Sequence, residues 1–319
     1  MKRIWFLLLV IPLAVSAEPR GSSGMSFLRI GPDARSSALA GAAASYADDL
    51  GSSWWNPAGL ARVDDMQAEV SHVFWFGGLN MSSVLWGRSV ENFGTIAASA
   101  RMFYPATESP ALGLDAEPLE TGTGSSAFDA SVSYAFRPYL VRLGAPSARL
   151  FLGATLRYAS ETLADDSMNG LTFDLGFMGE SIFVEDVSFA VVLYHMGGIL
   201  SAAKAAGDVP LPFGFRTGIS YPFQPIPLWT FLAAFEVDSP NDHPVTARVG
   251  LEIKREKIDP KGVISGIFRI GYAWPAETSG LDGMSLGGGV VYKGTSLDYS
   301  LTGHGYLGWA HRITIGYKF

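Results

Sequence analysis

A chain of 319 residues is long enough for one large domain or two ordinary ones, and this one is 48% hydrophobic yet only 17% charged, below the roughly 25% usual for soluble domains. Taking Lys2 and Arg3 from its 23 basic residues leaves 21 against 30 acidic ones, a formal charge of −9 beyond the first residues, which argues against binding a polyanion and so against nucleic acid as a partner. The absence of cysteine excludes disulfides and thiolate chemistry.

The chain opens with Lys2 and Arg3, an apolar core over residues 4–15 and the sequence Ala14-Val15-Ser16-Ala17. A basic start, a short apolar run and small residues in an A-x-A pattern predict a secretory signal peptide over residues 1–17, removed on export. The apolar run is short for a membrane span, and no Cys follows it to carry a lipid anchor.

Residues 24–61, GMSFLRIGPDARSSALAGAAASYADDLGSSWWNPAGLA, differ in kind from the rest of the chain. Ala, Gly and Ser crowd this stretch, so it suits a place where space is tight. Asn56-Pro57 is a helix start: the Asn side chain accepts from orphan N–H groups, and Pro has none to lose at the first helical position. Taken alone, this is also the pattern of a capped helix in a soluble domain.

From Met66 onward no window of 18 apolar residues occurs, so the apolar content is spread by alternation. Segments of about ten residues with period two are predicted at 66–76, 81–90, 93–104, 126–136, 147–159, 170–180, 185–196, 212–222, 228–238, 244–255, 263–274, 284–293, 295–302 and 310–319. An even number of strands of this length predicts a transmembrane antiparallel β-barrel of about 14 strands. Val245, Ala247, Val249, Leu251 and Ile253 are expected to face lipid, with Thr246, Arg248, Gly250, Glu252 and Lys254 inward. Connections 105–125, 160–169, 197–211, 275–283 and 303–309 read as external loops, and 91–92, 181–184, 223–227 and 293–294 as periplasmic turns.

Such a barrel has a lumen too wide for its own wall side chains to fill. The predicted organisation is therefore a leader over 1–17, an N-terminal hatch or plug over 18–62, and the barrel over 63–319. Strand parity puts both ends of the strand series on the periplasmic side, so the plug is expected to start there and fold upward. Arg101, Arg157, Asp174, Arg216, Glu236, Arg248, Glu252, Arg269 and Asp298 fall at inward positions. They read as a wall network that fastens the plug, or as a substrate path.

The stretch FLRIGPDARSSALAGAAASYADDLGSSWWNPAGLA resembles the amino-terminal signature of the PorV/PorQ family of outer-membrane proteins. Matching positions include Gly31, Ala34, Arg35, Gly41, Asp48, Asp49, Trp55, Asn56, Pro57 and Gly59, while Ala40 departs from the usual second Gly of a GGA. The closing HRITIGYKF is similar to that family's carboxyl terminus. The resemblance implies a fold like the FadL-type fatty-acid transporters, with fourteen strands and a luminal hatch, in the cell outer membrane. It also implies a role as partner or adaptor in type IX-like secretion and surface attachment, with a secretion translocon and cargo signal domains as partners. The alternative is a FadL-like channel taking up hydrophobic small molecules.

Enzymatic signals are weak. Gly283-Met284-Ser285-Leu286-Gly287 has the G-x-S-x-G spacing, but Gly287, Gly288 and Gly289 continue into a predicted strand, where a helix would be required. The glycine run reads instead as a kink or bulge in the wall, a candidate lateral exit. His72, His195, His243, His304 and His311 lack zinc-binding spacing. Asp48-Asp49 lack the spacing of a calcium loop and are expected to orient the plug, pairing with a wall Arg. No catalytic residue, metal or cofactor is assigned.

Overall fold

The computed structural model describes residues 21–105, 125–138, 147–163, 166–201, 209–259, 261–275 and 281–319. The leader and most of the 105–125 and 137–146 connections lie outside them. Fourteen antiparallel strands close into a barrel in sequence order: β1 (Met66–Phe74), β2 (Leu79–Val90), β3 (Gly94–Pro105), β4 (Ser125–Phe136), β5 (Arg149–Leu163), β6 (Asp166–Glu180), β7 (Ser188–Ser201), β8 (Gly214–Ile226), β9 (Trp229–Pro240), β10 (Thr246–Arg255), β11 (Ile264–Trp274), β12 (Met284–Tyr292), β13 (Thr295–Gly303) and β14 (Trp309–Lys318). β14 returns to β1, with Gln67 opposite Lys318 and Phe74 opposite His311, so every strand has a hydrogen-bonded neighbour on both sides. No helix among the described residues is long and apolar enough to cross a membrane.

Period two sets the two faces of the wall. On β4 Phe128 and Val132 are exposed while Asp129 and Ser131 are buried; on β10 and β13 Val249, Leu297 and Tyr299 are exposed while Glu252, Asp298 and Ser300 are buried. The exterior is thus a surface of Val, Leu, Ile, Phe and Tyr, suited to hydrocarbon, and the interior is polar. Every predicted strand is present, with ends moved by a few residues. The largest change is at 160–169, expected as a loop, where β5 and β6 continue to Leu163 and Asp166 and pair residue for residue.

The rim holding Met66 and Lys318 is here termed proximal and the opposite rim distal. Residues 22–63 touch inward-facing groups of strands all round the circuit, which is possible only from inside. They carry two short helices, α1 (Ala34–Ala38) and α2 (Ser52–Trp55), and a 3-10 turn over Pro57–Arg62. The segment does not start at the proximal rim as strand parity implied. The Gly24 N–H donates to the Pro210 carbonyl at 3.0 Å, the Met25 N–H donates to Glu161 at 3.0 Å, and Arg29 pairs with Asp242, all at the distal end. The chain descends from there to Asp64 and Asp65, whose carboxylates lie 3.8 and 3.7 Å from Lys318 Nζ. Parity fixes only the end joined to β1; a segment this long spans the lumen.

Inward-facing glycines seat the descending chain. A Cβ on Gly153 would overlap the Pro57 carbonyl group, on Gly176 the Asn56 Oδ1, on Gly271 the Leu39–Ala40 peptide, on Gly287 the Ala38 methyl and on Gly87 the Leu50 side chain. These positions on β5, β6, β11, β12 and β2 are where backbone or small side chains of the segment come closest to the wall. Gly287, Gly288 and Gly289 therefore do not kink β12: its ladder to β11 and β13 runs through them without a register shift. Gly287 makes room for α1, and a Cβ at Gly289 would overlap the Asp298 carboxylate. We expect Gly176→Val to displace the 3-10 turn, at a cost of about 1 to 3 kcal/mol from overpacking. The check is a lowered urea midpoint for unfolding in detergent; an unchanged midpoint removes the glycine seat from the account.

Candidate functional site

The inward charges form a belt in which Arg and carboxylate alternate from strand to strand. Arg101 on β3 donates to Asp129 on β4 at 2.7 Å, and Arg157 on β5 donates to Asp129 at 2.8 Å and to Asp174 on β6 at 3.4 Å. The His195 backbone N–H on β7 donates to Asp174 at 2.6 Å. Arg216 on β8 meets Glu236 at 3.2 Å, and Arg248 on β10 meets Glu236 at 2.9 Å and Asp238 at 2.7 Å. Arg269 on β11 bridges Glu252 of β10, at 2.6 Å, to Asp298 of β13. Arg248 is half-buried and the others are buried. A charge held away from water costs several kcal/mol unless paired and hydrogen-bonded, so each member holds its neighbour in place.

The belt also holds the amino-terminal segment. Arg101 donates to the Ile30 carbonyl at 2.7 Å, Arg216 to the Trp55 carbonyl at 3.1 Å and Arg312 to the Gly31 carbonyl at 3.2 Å. In return Glu236 accepts the Ala44 N–H at 2.8 Å, and Thr314 accepts the Ala34 N–H at 2.9 Å. The Trp54 ring lies beneath two guanidinium groups, Arg101 at 3.5 Å and Arg157 at 4.2 Å. Desolvated cation–π contacts of this kind are each worth about 2 kcal/mol.

The signature positions are structural within the segment. Asp33 caps α1 by accepting the Ser36 N–H at 2.7 Å and also accepts the Trp55 indole N–H at 2.6 Å. A Cβ on Gly31 would overlap that indole, and Gly41, at φ 78°, stacks close to the same ring. Ala40 sits at φ 55°, a left-handed conformation that glycine adopts without the Cβ penalty. Asn56 accepts the Ala58 N–H at 3.0 Å as cap of the 3-10 turn beginning at Pro57, while its amide donates to the carbonyls of Ala44 (2.7 Å) and Phe177 (3.3 Å). Gly59 packs on the Ala47 carbonyl.

Arg35 gathers three carboxylates, Asp48 at 2.6 Å, Asp49 at 2.9 Å and Glu252 at 3.2 Å. The expected partner of Asp48-Asp49 was a wall Arg. The structure supplies Arg35 from the segment itself and, at 3.7 Å from Asp48, Arg62. The local reason is that Arg35, on α1 against the wall, lies between the 48–49 turn and Glu252 of β10 and reaches both. Burial pushes the Asp49 carboxyl up to about 6, with Arg35 opposing and Asp33 and Asp48 adding to the rise. Burial also works against the Asp48 charge, but Arg35 and Arg62 more than offset it and hold that group below its ordinary value.

Among the described strands the register shifts at the β8–β9 tip, between Phe223 and Ile226, and twice between β6 and β7, the first at Asn169 and Gly170. The second lies between Phe173 and Leu175, where His195 stands at φ 52° and Gly197 at φ 153°. Pairing of β7 with β8 runs only from Ser188 opposite Ser220 to Tyr194 opposite Gly214, although β7 continues to Ser201. Beside this break the distal lumen is apolar: Met25, Phe27 and Leu28 of the segment cluster with Leu211, with Met168 and Ile199 packed against them. The His195 ring packs on Trp54 with centroids 5.4 Å apart.

Sequence reading gave no role to Asp129, Asp238, Arg312, Trp54 or the β7 break, although Arg312 falls on the polar face of the last predicted strand. The first three share the inward parity that selected the other charges. Ser285 of the G-x-S-x-G stretch is buried within β12, where the strand runs on with no helix after it. No group of three or more His, Asp or Glu among the described residues is arranged to hold a metal.

No protein-family model matches the chain, and no curated protein matches it. Among solved structures it is similar to the Ralstonia pickettii toluene transporter TbuX, with TM-score 0.59 and 12% identity over 91% of this chain and 98% of that one. It is similar also to the Pseudomonas putida toluene transporter TodX, with TM-score 0.57 and 10% identity over 95% and 97%. A Pseudomonas aeruginosa FadL homologue matches with TM-score 0.51 and 8% identity over 90% and 98%. At these identities the likeness is one of fold: a closed fourteen-strand barrel of the FadL-like kind.

Because the Asp49 pKa is raised above its ordinary 3.8, the folded state takes up a proton more readily than the unfolded one. Its charge therefore costs stability above pH 6, and that cost fades as the pH falls through 6 towards 4. Asp49→Asn should raise the unfolding midpoint at pH 7.5 and give no gain at pH 4.5. A shift of equal size at both pH values assigns the effect to something other than the charge.

Proposed function

We propose that the chain is an outer-membrane channel for hydrophobic small molecules, with residues 22–63 acting as its luminal plug. The proximal rim is then periplasmic and the distal rim external. The observation that carries this reading is the apolar cluster at the distal end of the lumen, set directly beside the interrupted β7–β8 ladder. A molecule that partitions from water into the Met25, Phe27, Ile199 and Leu211 cluster has beside it a stretch of β7 that is bonded to β6 but, among the described residues, not to β8, and through that side it would reach the bilayer. The fold-level likeness to toluene transporters supports this choice. On this reading the candidate wall opening lies at the β7 break and not at the Gly287–Gly289 run, whose ladders are unbroken.

The adaptor reading, with a secretion translocon and cargo signal domains as partners, rests on the amino-terminal signature, whose residues are engaged inside the lumen. Uptake of labelled toluene by cells lacking the chain, set against cells carrying it, separates the two. We expect uptake to fall several-fold on deletion, to be restored by the wild type and not by Ile199→Glu, which puts a charge into the apolar cluster. Unchanged uptake on deletion, with secretion components recovered alongside the chain from native membranes, replaces the channel reading with the adaptor one.

A further inference from the structure

The proximal rim carries a cleft that the channel does not use. β7 begins level with Ser220 of β8, but β8 continues over residues 221–226 paired only with β9. Beside the free edge so created is a cavity of about 570 Å³ lined by Asp186, Thr230 and the run from Tyr221 to Pro225. Two of the edge residues, Pro222 and Pro225, lack an N–H, which blocks addition of a further strand, so an extended peptide is a poor occupant.

The cleft's chemistry is that of a cationic headgroup on an apolar stem. Tyr221 and Phe223 stack at 5.8 Å and Phe223 and Phe231 at 5.2 Å, forming a ladder of parallel rings at the wall's end. Opposite them Asp186 is held in a left-handed conformation (φ 61°), its backbone N–H donating to Ser181 Oγ at 3.0 Å. Its exposed carboxylate forms no salt bridge among the described residues. Towards the midplane the apolar outer face continues from Tyr221 to Ile219 and its cross-strand partner Phe235, which is 44% exposed. Rings at the end of a barrel wall mark the membrane–water interface, where one end of a ligand is wet and the other apolar.

We propose that this cleft binds a phospholipid of the periplasmic leaflet whose headgroup carries an ammonium. Asp186 and the ring faces take the ammonium, Thr230 and Gln224 offer hydrogen bonds to the phosphate, and the acyl chains run towards the midplane along the outer face of β8 and β9, past Ile219 and Phe235. The proposal rests on the chain spanning a bilayer. The test is native mass spectrometry of the purified full chain incubated with equimolar dioleoyl phosphatidylethanolamine and dioleoyl phosphatidylglycerol. We expect several-fold more ethanolamine adduct than glycerol adduct, with the preference lost in Asp186→Asn and reduced in Phe223→Leu. Each variant is first checked for heat-modifiable migration, which reports a folded barrel. Equal retention of the two lipids by the wild type, or an unchanged preference in a folded Asp186→Asn, overturns the site and leaves the membrane-spanning reading intact.

Discussion

The constraint on which the rest depends is the cost of ionised groups in a lumen filled with protein. A water-filled pore hydrates inward charges, and a packed one does not. Here a descending segment occupies the space, so Arg101, Arg157, Arg216 and Arg269 have carboxylates on neighbouring strands instead. Pairing across strands ties the wall together at mid-height and fixes side-chain directions. Those same guanidinium groups keep donors free for the Ile30 and Trp55 carbonyls, so the belt reads the position of the segment as well as the closure of the barrel.

Shape does what charge alone cannot. A belt of long, flexible side chains tolerates sliding of whatever it encloses, but Gly153, Gly176 and Gly271 each admit one piece of backbone and little else. Sub-ångström fit of this kind makes an interior resist gradual deformation. The segment is accordingly held in register along the barrel axis, from the Gly24 bond to Pro210 at one end to Arg62 against Glu180 at the other. A route that required the whole segment to leave would break the belt and empty the glycine seats together. Passage around its distal end, beside the interruption in β7, disturbs far less.

Much of this was legible in the sequence, for a physical reason. Period two survives in any strand with one face to hydrocarbon and one to a polar lumen, so the fourteen strands and the inward charges at Arg157, Glu236 and Arg269 were readable from alternation. Parity also puts both ends of the strand series at one rim, where Gln67 lies opposite Lys318. It carried no information on the path of the segment before β1, because that path is set by contacts such as Met25 to Glu161, far apart in the chain. Glycine was ambiguous for the same reason. A run at 287–289 reads as a kink when only neighbours in sequence are considered, yet Gly287 is small because Ala38 lies against it, while the true irregularity sits at His195, a residue type with no such signal.

The signature block deserves the same physical reading. Gly31, Gly41 and Trp55 occur together because two backbone stretches pack on one indole, Asp33 because it caps α1 and holds that indole, and Asn56-Pro57 because a capped turn must fit between Gly153 and Gly176. Each is required by the way the segment folds inside a barrel, whatever the barrel then does. A channel and an adaptor built on this plan would both retain the block, so it specifies architecture. What differs between them is the use made of the distal end, where the buried apolar cluster of Met25, Phe27 and Leu211, with Ile199 packed against it, adjoins the part of β7 that pairs with β6 but, among the described residues, not with β8. The proposal of passage through the barrel therefore stands on these residues and not on the signature, which either use of the barrel would keep.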